Sequence, residues 1–384
     1  MYYLQGSIIT GGRVLHNQFI EITDGLIAYI GEKKRDVDAP VKVVEKGYIC
    51  PGFIDTHIHG VDGGDFMDEE DKVFEIVARQ LVKYGVTACL ATSRTAVLSD
   101  VNRFLDKAEK HMAAGTYGAR ILGVHLEGPW ISSKYNGAQP KKLIRKLTWR
   151  DVKEVIDPYA DIISKITLAP EELEDQKILK YLRNLDIQIS AGHTNATLEE
   201  IEEAAISGLS QLTHTFNAMS PIHHRSPGTA AAALYIENFI CELIADGVHV
   251  NHKMIELLYK VKGMEGIAII SDCTGYNQLT DGEYTLRGKE LVRKGNEVRL
   301  KNGSLAGSAI TLNEGVKYMV EHCNIPLEAA IFMATEIPAK AAGTNEKIGK
   351  IEPGCIADIV ILGSDLQVLE TIIAGELGNC HQVE

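Results

Sequence analysis

Cysteine is scarce in this chain, and its spacing excludes a disulfide framework. The 384 residues contain seven cysteines, an odd number, and no two of them are separated by only two residues. Such usage is typical of reduced thiols in a cytoplasmic protein. The first ten residues, MYYLQGSIIT, lack the basic region and the apolar stretch of a secretion signal. We therefore expect a cytoplasmic location.

Long apolar runs and basic blocks are also missing. No run approaches the roughly 20 apolar residues that a membrane-spanning helix needs, so we expect no membrane partner. The net charge is −13 and there is no long block of lysine and arginine, which argues against a nucleic-acid partner. We therefore expect a small-molecule partner. An anionic small molecule would need a local cluster of cations on this acidic protein.

Apolar, β-branched runs alternate with helical patterns along the middle of the chain. Helical patterns cover residues 71–85 and 197–208, and Thr197 with Glu200 forms a capping-box pattern at the start of the second. Eight strands separated by helices predict a (β/α)8 barrel of the TIM type over residues 49–348, although a seven- or nine-unit count fits the same periodicity. The eight apolar runs end near Asp55, Thr92, Glu127, Ala169, His193, His214, Asp246 and Asp272.

The two ends of the chain differ from the middle because they are poor in helical patterns. Residues 1–48 contain short strand patterns joined by the turn signal Asp24–Gly25. Residues 349–384 contain further short strand patterns punctuated by glycine and proline. We expect the two termini to build one small β-sandwich domain that flanks the barrel.

Side chains with metal-ligand chemistry follow several of the apolar runs. His57 and His59 stand two residues apart at the end of the first run, so both rings share one face of a strand. Glu127, His193 and His214 follow three later runs. Barrel enzymes carry their chemistry at the C-terminal strand ends, and one carboxylate with two imidazoles leaves the open position of a catalytic metal. Each histidine alone is as readily a hydrogen-bonded core residue, but the ordered set favours a centre for zinc, iron or manganese.

A series of motifs in one order gives the chain a specific resemblance. The motifs are PGFIDTHIHG, HLEGPW, TLAPE, SAGHTNA, THTFNAM, DGVHV, ISD, LAGS and IEPGCIADIVIL. From about residue 47 to about residue 370, the chain resembles the amidohydrolase superfamily and, more narrowly, its N-acetylglucosamine-6-phosphate deacetylases. The resemblance implies a barrel with a small β-sandwich, a divalent metal, and hydrolysis of a sugar N-acetyl group, a reaction of amino-sugar catabolism and cell-wall recycling.

The resemblance also implies which residues hold metal. It gives Glu127, His193 and His214 the role of primary ligands. His57 and His59 match positions that complete a second metal in some members and are lost in others, so one or two metals per subunit are expected. A carboxylated lysine bridges the metals in many relatives elsewhere in the superfamily, whereas this family gives that role to the glutamate.

Catalytic roles follow from chemistry and resemblance together. Amide hydrolysis needs an activated water and a protonated leaving amine, and a carboxylate near a metal can move both protons. Asp272, after the run GIAIIS, matches the catalytic aspartate of the family, although alone it is as readily a turn cap. The next residue is Cys273, where the family leads us to expect alanine. His249 matches a position that hydrogen-bonds the substrate and polarises its carbonyl.

The segment THTFNAMSPIHHRSPG offers the cations and donors that a phosphate requires. The resemblance places Asn217 and Ala218 at the phosphate and gives Arg225 a phosphate contact, made within one chain or across a homodimer interface. Alone, Arg225 is equally well a solvated loop residue. Ala138, beside Gly137, matches a loop that approaches the sugar.

Three other functions remain open at this stage. The galactosamine epimer is the alternative substrate for the same site. A cyclic-amide or dipeptide hydrolase would not require the anion-binding segment 217–225. A metal-free binding or assembly protein with this fold would have lost its ligands, and here the complete set is present.

Overall fold

The computed structural model describes residues 1–115, 118–344 and 347–377. Among these residues, the strands fall into four groups along the chain. The N-terminal strands are β1 (Tyr2–Thr10), β2 (Arg13–Thr23), β3 (Leu26–Gly31), β4 (Val41–Val43) and β5 (Tyr48–Pro51). The middle strands are β6 (Phe53–Ile58), β7 (Val86–Thr92), β8 (Arg120–Glu127), β9 (Ile163–Leu168), β10 (Gln188–Ala191), β11 (Leu209–Leu212), β12 (Ile240–Ile244) and β13 (Ile267–Ile270). Then follow β14 (Gly282–Leu286), β15 (Lys289–Lys294), β16 (Glu297–Leu300), β17 (Ile359–Leu362), β18 (Val368–Ile373) and β19 (Glu376–Leu377).

The eight middle strands form the predicted barrel. They pair in parallel in the order β6 to β13, and nearly all of their residues are buried, as in a sheet covered on both faces. Main-chain bonds close the ring, because Asp272 N–H donates to the carbonyl of His57 at 2.9 Å and His59 N–H donates to the carbonyl of Cys273 at 2.9 Å. The expectation of eight strands is confirmed, and each ends within three residues of the position that the sequence indicated.

Helices connect most of the barrel strands and pack their apolar faces against them. The two helical patterns singled out in the sequence both form helices, and the capping box of Thr197 and Glu200 is present at the start of the second. The α-helices of the described chain are α1 (Val73–Leu81), α2 (Leu98–Ala114), α3 (Trp149–Asp151), α4 (Lys177–Asn184), α5 (Leu198–Ile206), α6 (Thr229–Tyr235), α7 (His252–Lys262), α8 (Leu312–His322), α9 (Leu327–Ala334) and α10 (Glu336–Ala341).

The termini build a second unit, as expected. Strands β1 to β5 and β17 to β19 form one mixed sheet, in which β5 pairs with β17 and so joins the two ends of the chain. Six of these strands contribute residues such as Leu4, Ile20 and Ile359 to one separate apolar core. The terminal unit is therefore one continuous sheet with an apolar core of its own. The domain boundaries at residues 48 and 349 stay a prediction, and residues 378–384 lie outside the described chain.

A three-stranded antiparallel sheet between β13 and α8 was not foreseen from the sequence. Strands β14, β15 and β16 form it, and residues of β15, β16 and the loop that follows line the cavity at the barrel mouth. Its first turn contains Arg287 and Gly288, both with positive φ, which suits a tight hairpin. Arg287 also binds Asp68, in the loop after β6, through Nε and Nη2, each at 2.7 Å.

The cysteines of the described chain are reduced thiols. Six are described, all are buried, and all are free; Cys380 lies outside the described residues. Among the described residues, no helix combines the length and the apolar content that crossing a membrane would take.

Candidate metal centre and active site

The candidate residues lie where the barrel strands end and the backbone turns inward. His193, His214 and Asp272 follow β10, β11 and β13, and their φ angles are 47°, 29° and 48°. Non-glycine residues seldom adopt this left-handed conformation, and such strain concentrates at functional sites. All three side chains are almost fully buried. The strained backbone therefore directs buried polar groups toward one point at the C-terminal end of the barrel.

Glu127, the last residue of β8, is the hub of this cluster. Its Oε1 lies 3.1 Å from His193 Nε2 and 3.2 Å from His214 Nε2. One ligand atom from each of the three residues lies within 4.8 Å of the others. Burial would raise the pKa of Glu127, but the facing imidazoles of His193, His214 and His57 hold that pKa well below its usual value. The carboxylate is thus kept ionised, as a metal ligand must be.

The loop after β8 fixes two members of this group. His193 Nδ1 lies 3.0 Å from the carbonyl of Tyr135, which leaves Nε2 for the centre. Gln139 donates from its side-chain nitrogen to Glu127 Oε2 at 2.5 Å. At Gly137, where φ is 56°, an added Cβ would lie only 3.2 Å from the His193 ring. Glycine at that position lets the loop pass closely over the histidine.

His57 and His59 form a second group on the same glutamate. His57 Nε2 and His59 Nε2 each lie 3.5 Å from a Glu127 oxygen, and the three residues again bring their ligand atoms within 4.8 Å. His57 Nε2 is buried and has no hydrogen-bond partner, although it faces Glu127 and Asp272. Buried polar atoms are nearly always satisfied. An orphaned ring nitrogen aimed at carboxylates fits a cation between them.

Asp272 completes the centre from the opposite side. Its Oδ1 lies 3.2 Å from His59 Nε2 and 3.6 Å from His57 Nε2. Burial would raise the pKa of Asp272, but His57 and His59 lower it below its ordinary value. Asp272 is therefore a carboxylate at neutral pH, able to accept a proton. Its neighbour Cys273 is buried, and burial raises the pKa of its thiol to about 12, so this thiol is kept protonated.

His249 borders the same cavity and is held by one aspartate. Its Nδ1 lies 2.7 Å from Asp246 Oδ2, and its main-chain N–H donates to Asp246 Oδ1 at 2.8 Å. These two contacts fix the ring and leave Nε2 for a ligand in the cavity. His249 is thus a fixed side chain of the cavity wall.

A cavity of about 470 Å³ opens above the centre, within the usual size range of small-molecule sites. Nine of the eleven residues proposed from the sequence line it, and the more deeply buried His57 and the exposed Arg225 do not. The nine are His59, Glu127, Ala138, His193, His214, Asn217, Ala218, His249 and Asp272.

Two residues of the expected phosphate segment, Asn217 and Arg225, differ in where they lie relative to the cavity. Asn217 borders the cavity, but its side-chain nitrogen donates to the carbonyls of His214 and Thr215 at 3.1 and 3.3 Å. Arg225 is exposed, donates to His224 Nε2 at 2.8 Å, and is not part of the cavity wall formed by the described residues of this chain. Within one chain, Arg225 is therefore separated from the site.

Several polar residues of the site escaped the sequence reasoning. Gln139, Lys289 and Arg299 come from loops and strands whose approach to the barrel mouth has no local signal. Lys165 and Glu242 did have a local sequence signal, because each is a charged residue in the middle of an apolar strand. Lys165 lies in ISKITL and Glu242 in ICELI. Burial would raise the pKa of Glu242, but Lys165 and His57 lower it to about 2.

A parallel eight-stranded barrel with carboxylate and imidazole ligands at its C-terminal mouth defines the class of metal-dependent barrel hydrolases. A sequence model of the amidohydrolase family matches residues 48–378. The chain belongs to the amidohydrolase family, and the resemblance to its N-acetylglucosamine-6-phosphate deacetylases is confirmed. This family is metal-dependent, and the described residues contain two groups that could bind a metal.

Individual relatives match along nearly their whole length. The chain is 35% identical over 380 residues to the N-acetylglucosamine-6-phosphate deacetylase of Bacillus subtilis, covering 97% of this chain and 95% of the relative. It is 34% identical over 367 residues to the N-acetylgalactosamine-6-phosphate deacetylase of Escherichia coli O157:H7, and this match covers 95% of this chain and 96% of the relative. Among solved structures, a variant of N-acetyl-D-glucosamine-6-phosphate deacetylase from Mycobacterium smegmatis in complex with N-acetyl-D-glucosamine-6-phosphate has a TM-score of 0.91 and 29% identity. That match covers 98% of this chain and 99% of the other.

Proposed function

We propose that the protein hydrolyses the amide bond of N-acetyl-D-glucosamine 6-phosphate, giving D-glucosamine 6-phosphate and acetate. One observation carries the proposal: the carboxylate of Asp272 lies beside two metal-capable groups that share Glu127, at the base of a cavity of small-molecule size. The names of the relatives supply the substrate class, an N-acetylated hexosamine phosphate.

We propose that Glu127, His193 and His214 hold the primary divalent metal, with His57 and His59 available for a second. When bound, the metal supplies a Lewis acid and lowers the pKa of water toward neutrality. The remaining proton transfers fall to Asp272. It accepts a proton from the attacking water and delivers it to the leaving nitrogen, because an amine leaves far more readily when protonated.

We assign His249 to the carbonyl of the acetyl group. Asp246 accepts from Nδ1–H, and the imidazolium form of His249 would carry a second N–H on Nε2 to donate to the oxygen on which negative charge develops during attack. His249 would thereby add a hydrogen bond to the same carbonyl that a metal held by Glu127, His193 and His214 polarises as a Lewis acid. Zinc, iron and manganese all suit the ligand set, and one or two ions per subunit are compatible with it.

We further propose a homodimer in which Arg225 contacts the phosphate bound by the neighbouring chain. Arg225 is exposed and lies away from its own cavity, while Asn217 and Ala218 of the same segment line that cavity. The helices before and after this segment, α5 and α6, each expose a large apolar side chain, Ile206 and Tyr235. The free thiols of the described chain support a cytoplasmic location.

The galactosamine epimer is the second candidate substrate. The specific observation in its favour is the 34% identity to a relative named for that sugar. The two substrates differ only in the orientation of one ring hydroxyl, so they compete for the same cavity and the same catalytic groups.

The proposed role of Asp272 can be tested by replacing it with asparagine. We expect Asp272→Asn to bind metal and N-acetylglucosamine 6-phosphate like the unmodified protein, while kcat falls about 10²- to 10⁴-fold or more. Asp281→Asn, in an exposed turn outside the cavity wall, is the matched control and should keep its activity. A folded, metal-replete Asp272→Asn protein with near-normal kcat would exclude this mechanism.

A further inference from the structure

Two charged side chains meet in the barrel interior, and the reaction described above uses neither. Lys165 lies in β9 and Glu242 in β12, with two other strands between them in the sheet. Both side chains are completely buried, and Lys165 Nζ donates to Glu242 Oε1. Residues on such separated strands can meet only across the interior of the ring. A buried ion pair seldom adds stability over an apolar pair of similar size. Stability alone therefore does not explain why this pair is present.

The second oxygen of Glu242 reaches the metal centre. Glu242 Oε2 lies 3.0 Å from His57 Nδ1 and accepts the main-chain N–H of His214 at 3.3 Å. One carboxylate thereby contacts a residue of each metal-capable group. With Nδ1–H donated to Glu242, the other ring nitrogen of His57 presents its lone pair toward Glu127 and Asp272.

We propose that Glu242, with Lys165 balancing its charge, is the positioning residue that makes His57 a ligand of the second metal. A histidine that binds metal usually donates its other N–H to a carboxylate or carbonyl, which fixes the ring and its tautomer. Glu242 is that carboxylate for His57. Lys165 keeps the buried carboxylate ionised and oriented without competing for the oxygen that faces His57.

The purely structural alternative makes a different prediction. If the pair only braced the barrel, its loss would lower stability and leave the intrinsic affinity of each metal position unchanged. If Glu242 positions His57, loss of the hydrogen-bond acceptor weakens one position selectively, even in a folded protein. The inference rests on the proposed function only in treating His57 as a metal ligand. Its test measures metal binding, so an absent deacetylase activity would leave its outcome readable.

The test compares two double variants that both remove the ion pair. Lys165→Met with Glu242→Gln keeps an acceptor oxygen for His57 and the His214 amide. Lys165→Met with Glu242→Met has a side chain of similar size and no such acceptor. Changing both residues avoids leaving one buried charge unpaired, which single substitutions would do. Metal per chain and metal affinity are measured by elemental analysis and chelator competition, with His57→Asn as the reference for loss of the second position.

The expected result is selective. The glutamine variant should match the unmodified protein in metal content, whereas the methionine variant should lose about 10- to 100-fold in affinity for the metal that His57→Asn also loses. In cobalt-loaded protein, the visible spectrum of the methionine variant should change in the same direction as that of His57→Asn. The methionine variant combined with His57→Asn should lose no more than His57→Asn alone, because both changes act on one ligand.

Two outcomes would overturn the inference. Equal metal affinity in the two double variants would show that the acceptor is irrelevant. Unchanged metal binding in His57→Asn would show that His57 is not a ligand. If the methionine variant does not fold, Glu242→Asp replaces it. That change keeps the charge opposite Lys165 and withdraws the carboxylate from His57 by one methylene, so unchanged affinity there would also refute the proposal.

Discussion

At the scale of single residues, four histidines of the site already have one ring nitrogen engaged, whereas Nδ1 of His214 has no hydrogen-bond partner among the described residues. Nδ1 of His57, His59, His193 and His249 lies within 3.3 Å of a carboxylate or main-chain oxygen in each case. All four rings therefore present Nε2 to the centre or the cavity. Since the second partner of a histidine decides which nitrogen is free, these contacts preorganise the ligands before any ion binds.

The role of Glu127 gives the first residue-scale prediction. Glu127→Gln should abolish tight metal binding and nearly all turnover, because Oε1 serves both His193 and His214 and the neutral amide is a weak ligand. Elemental analysis of the dialysed protein measures this directly. The control is Glu171→Gln. The carboxylate of Glu171 is half-buried and accepts a hydrogen bond from Thr194 rather than facing the centre, so this variant should retain metal. Full metal occupancy in Glu127→Gln would contradict the assignment of Glu127 as a primary ligand.

At the scale of elements, most barrel units deliver polar residues at the end of an apolar strand. That arrangement could be predicted because strand ends are marked by a change from apolar to polar residues, as at Glu127 and His214. The positions of the loops over the barrel mouth could not be predicted from the sequence, because they depend on contacts between segments far apart in sequence. Gln139 and Lys289 reach the cavity in this way, through a loop and a hairpin that have ordinary local sequences.

The three-stranded sheet after β13 illustrates the same limit. Its turn at Arg287 and Gly288 has a recognisable hairpin signal, yet its strands expose alternate residues and carry little apolar pattern. The sheet is held by a small apolar cluster that includes Leu291 and Val298, and by a distant contact between Arg287 and Asp68. Likewise, Lys165 and Glu242 are visible as charges in apolar strands, but their pairing depends on the closed ring.

The capping box of α5 allows a stability prediction at this scale. Thr197 accepts the N–H of Glu200 through its hydroxyl, and Glu200 accepts the N–H of Thr197 in return, at 2.8 Å. Thr197→Ala should lower the free energy of unfolding by about 1 kcal/mol, since it removes the acceptor for a helix N-terminal N–H. Thr197→Ser keeps the hydroxyl and should lose much less. Equal denaturation midpoints for the alanine variant and the unmodified protein would refute the contribution of the cap.

At the scale of the whole molecule, the proposed dimer should make phosphate recognition depend on a second chain. Arg225→Ala should reduce kcat/KM for the phosphorylated sugar about 10- to 150-fold, which corresponds to the roughly 1.5–3 kcal/mol of a charge-assisted contact. The unphosphorylated sugar makes no such contact, so its kcat/KM should change little. Equal losses on both sugars would instead give Arg225 a role in the fold.

Mixing two impaired proteins tests whether the contact crosses the interface. Arg225→Ala and Asp272→Asn should restore part of the activity when combined, because one site of a mixed dimer has an intact Asp272 and an Arg225 from the other chain. Subunit exchange is verified with differently tagged chains. Selective loss without rescue, despite exchange, would confine the phosphate contact to one chain.

The central claim is that this centre deacetylates a phosphorylated amino sugar, and acetate release tests it most directly. Acetate is measured from N-acetylglucosamine 6-phosphate, its galacto epimer and unphosphorylated N-acetylglucosamine, with metal content determined on the same sample. We predict that the metal-loaded protein has its highest kcat/KM with N-acetylglucosamine 6-phosphate, and that chelation of the metal abolishes the release. No acetate from either phosphorylated sugar, in a folded protein with its metal bound, would contradict the account.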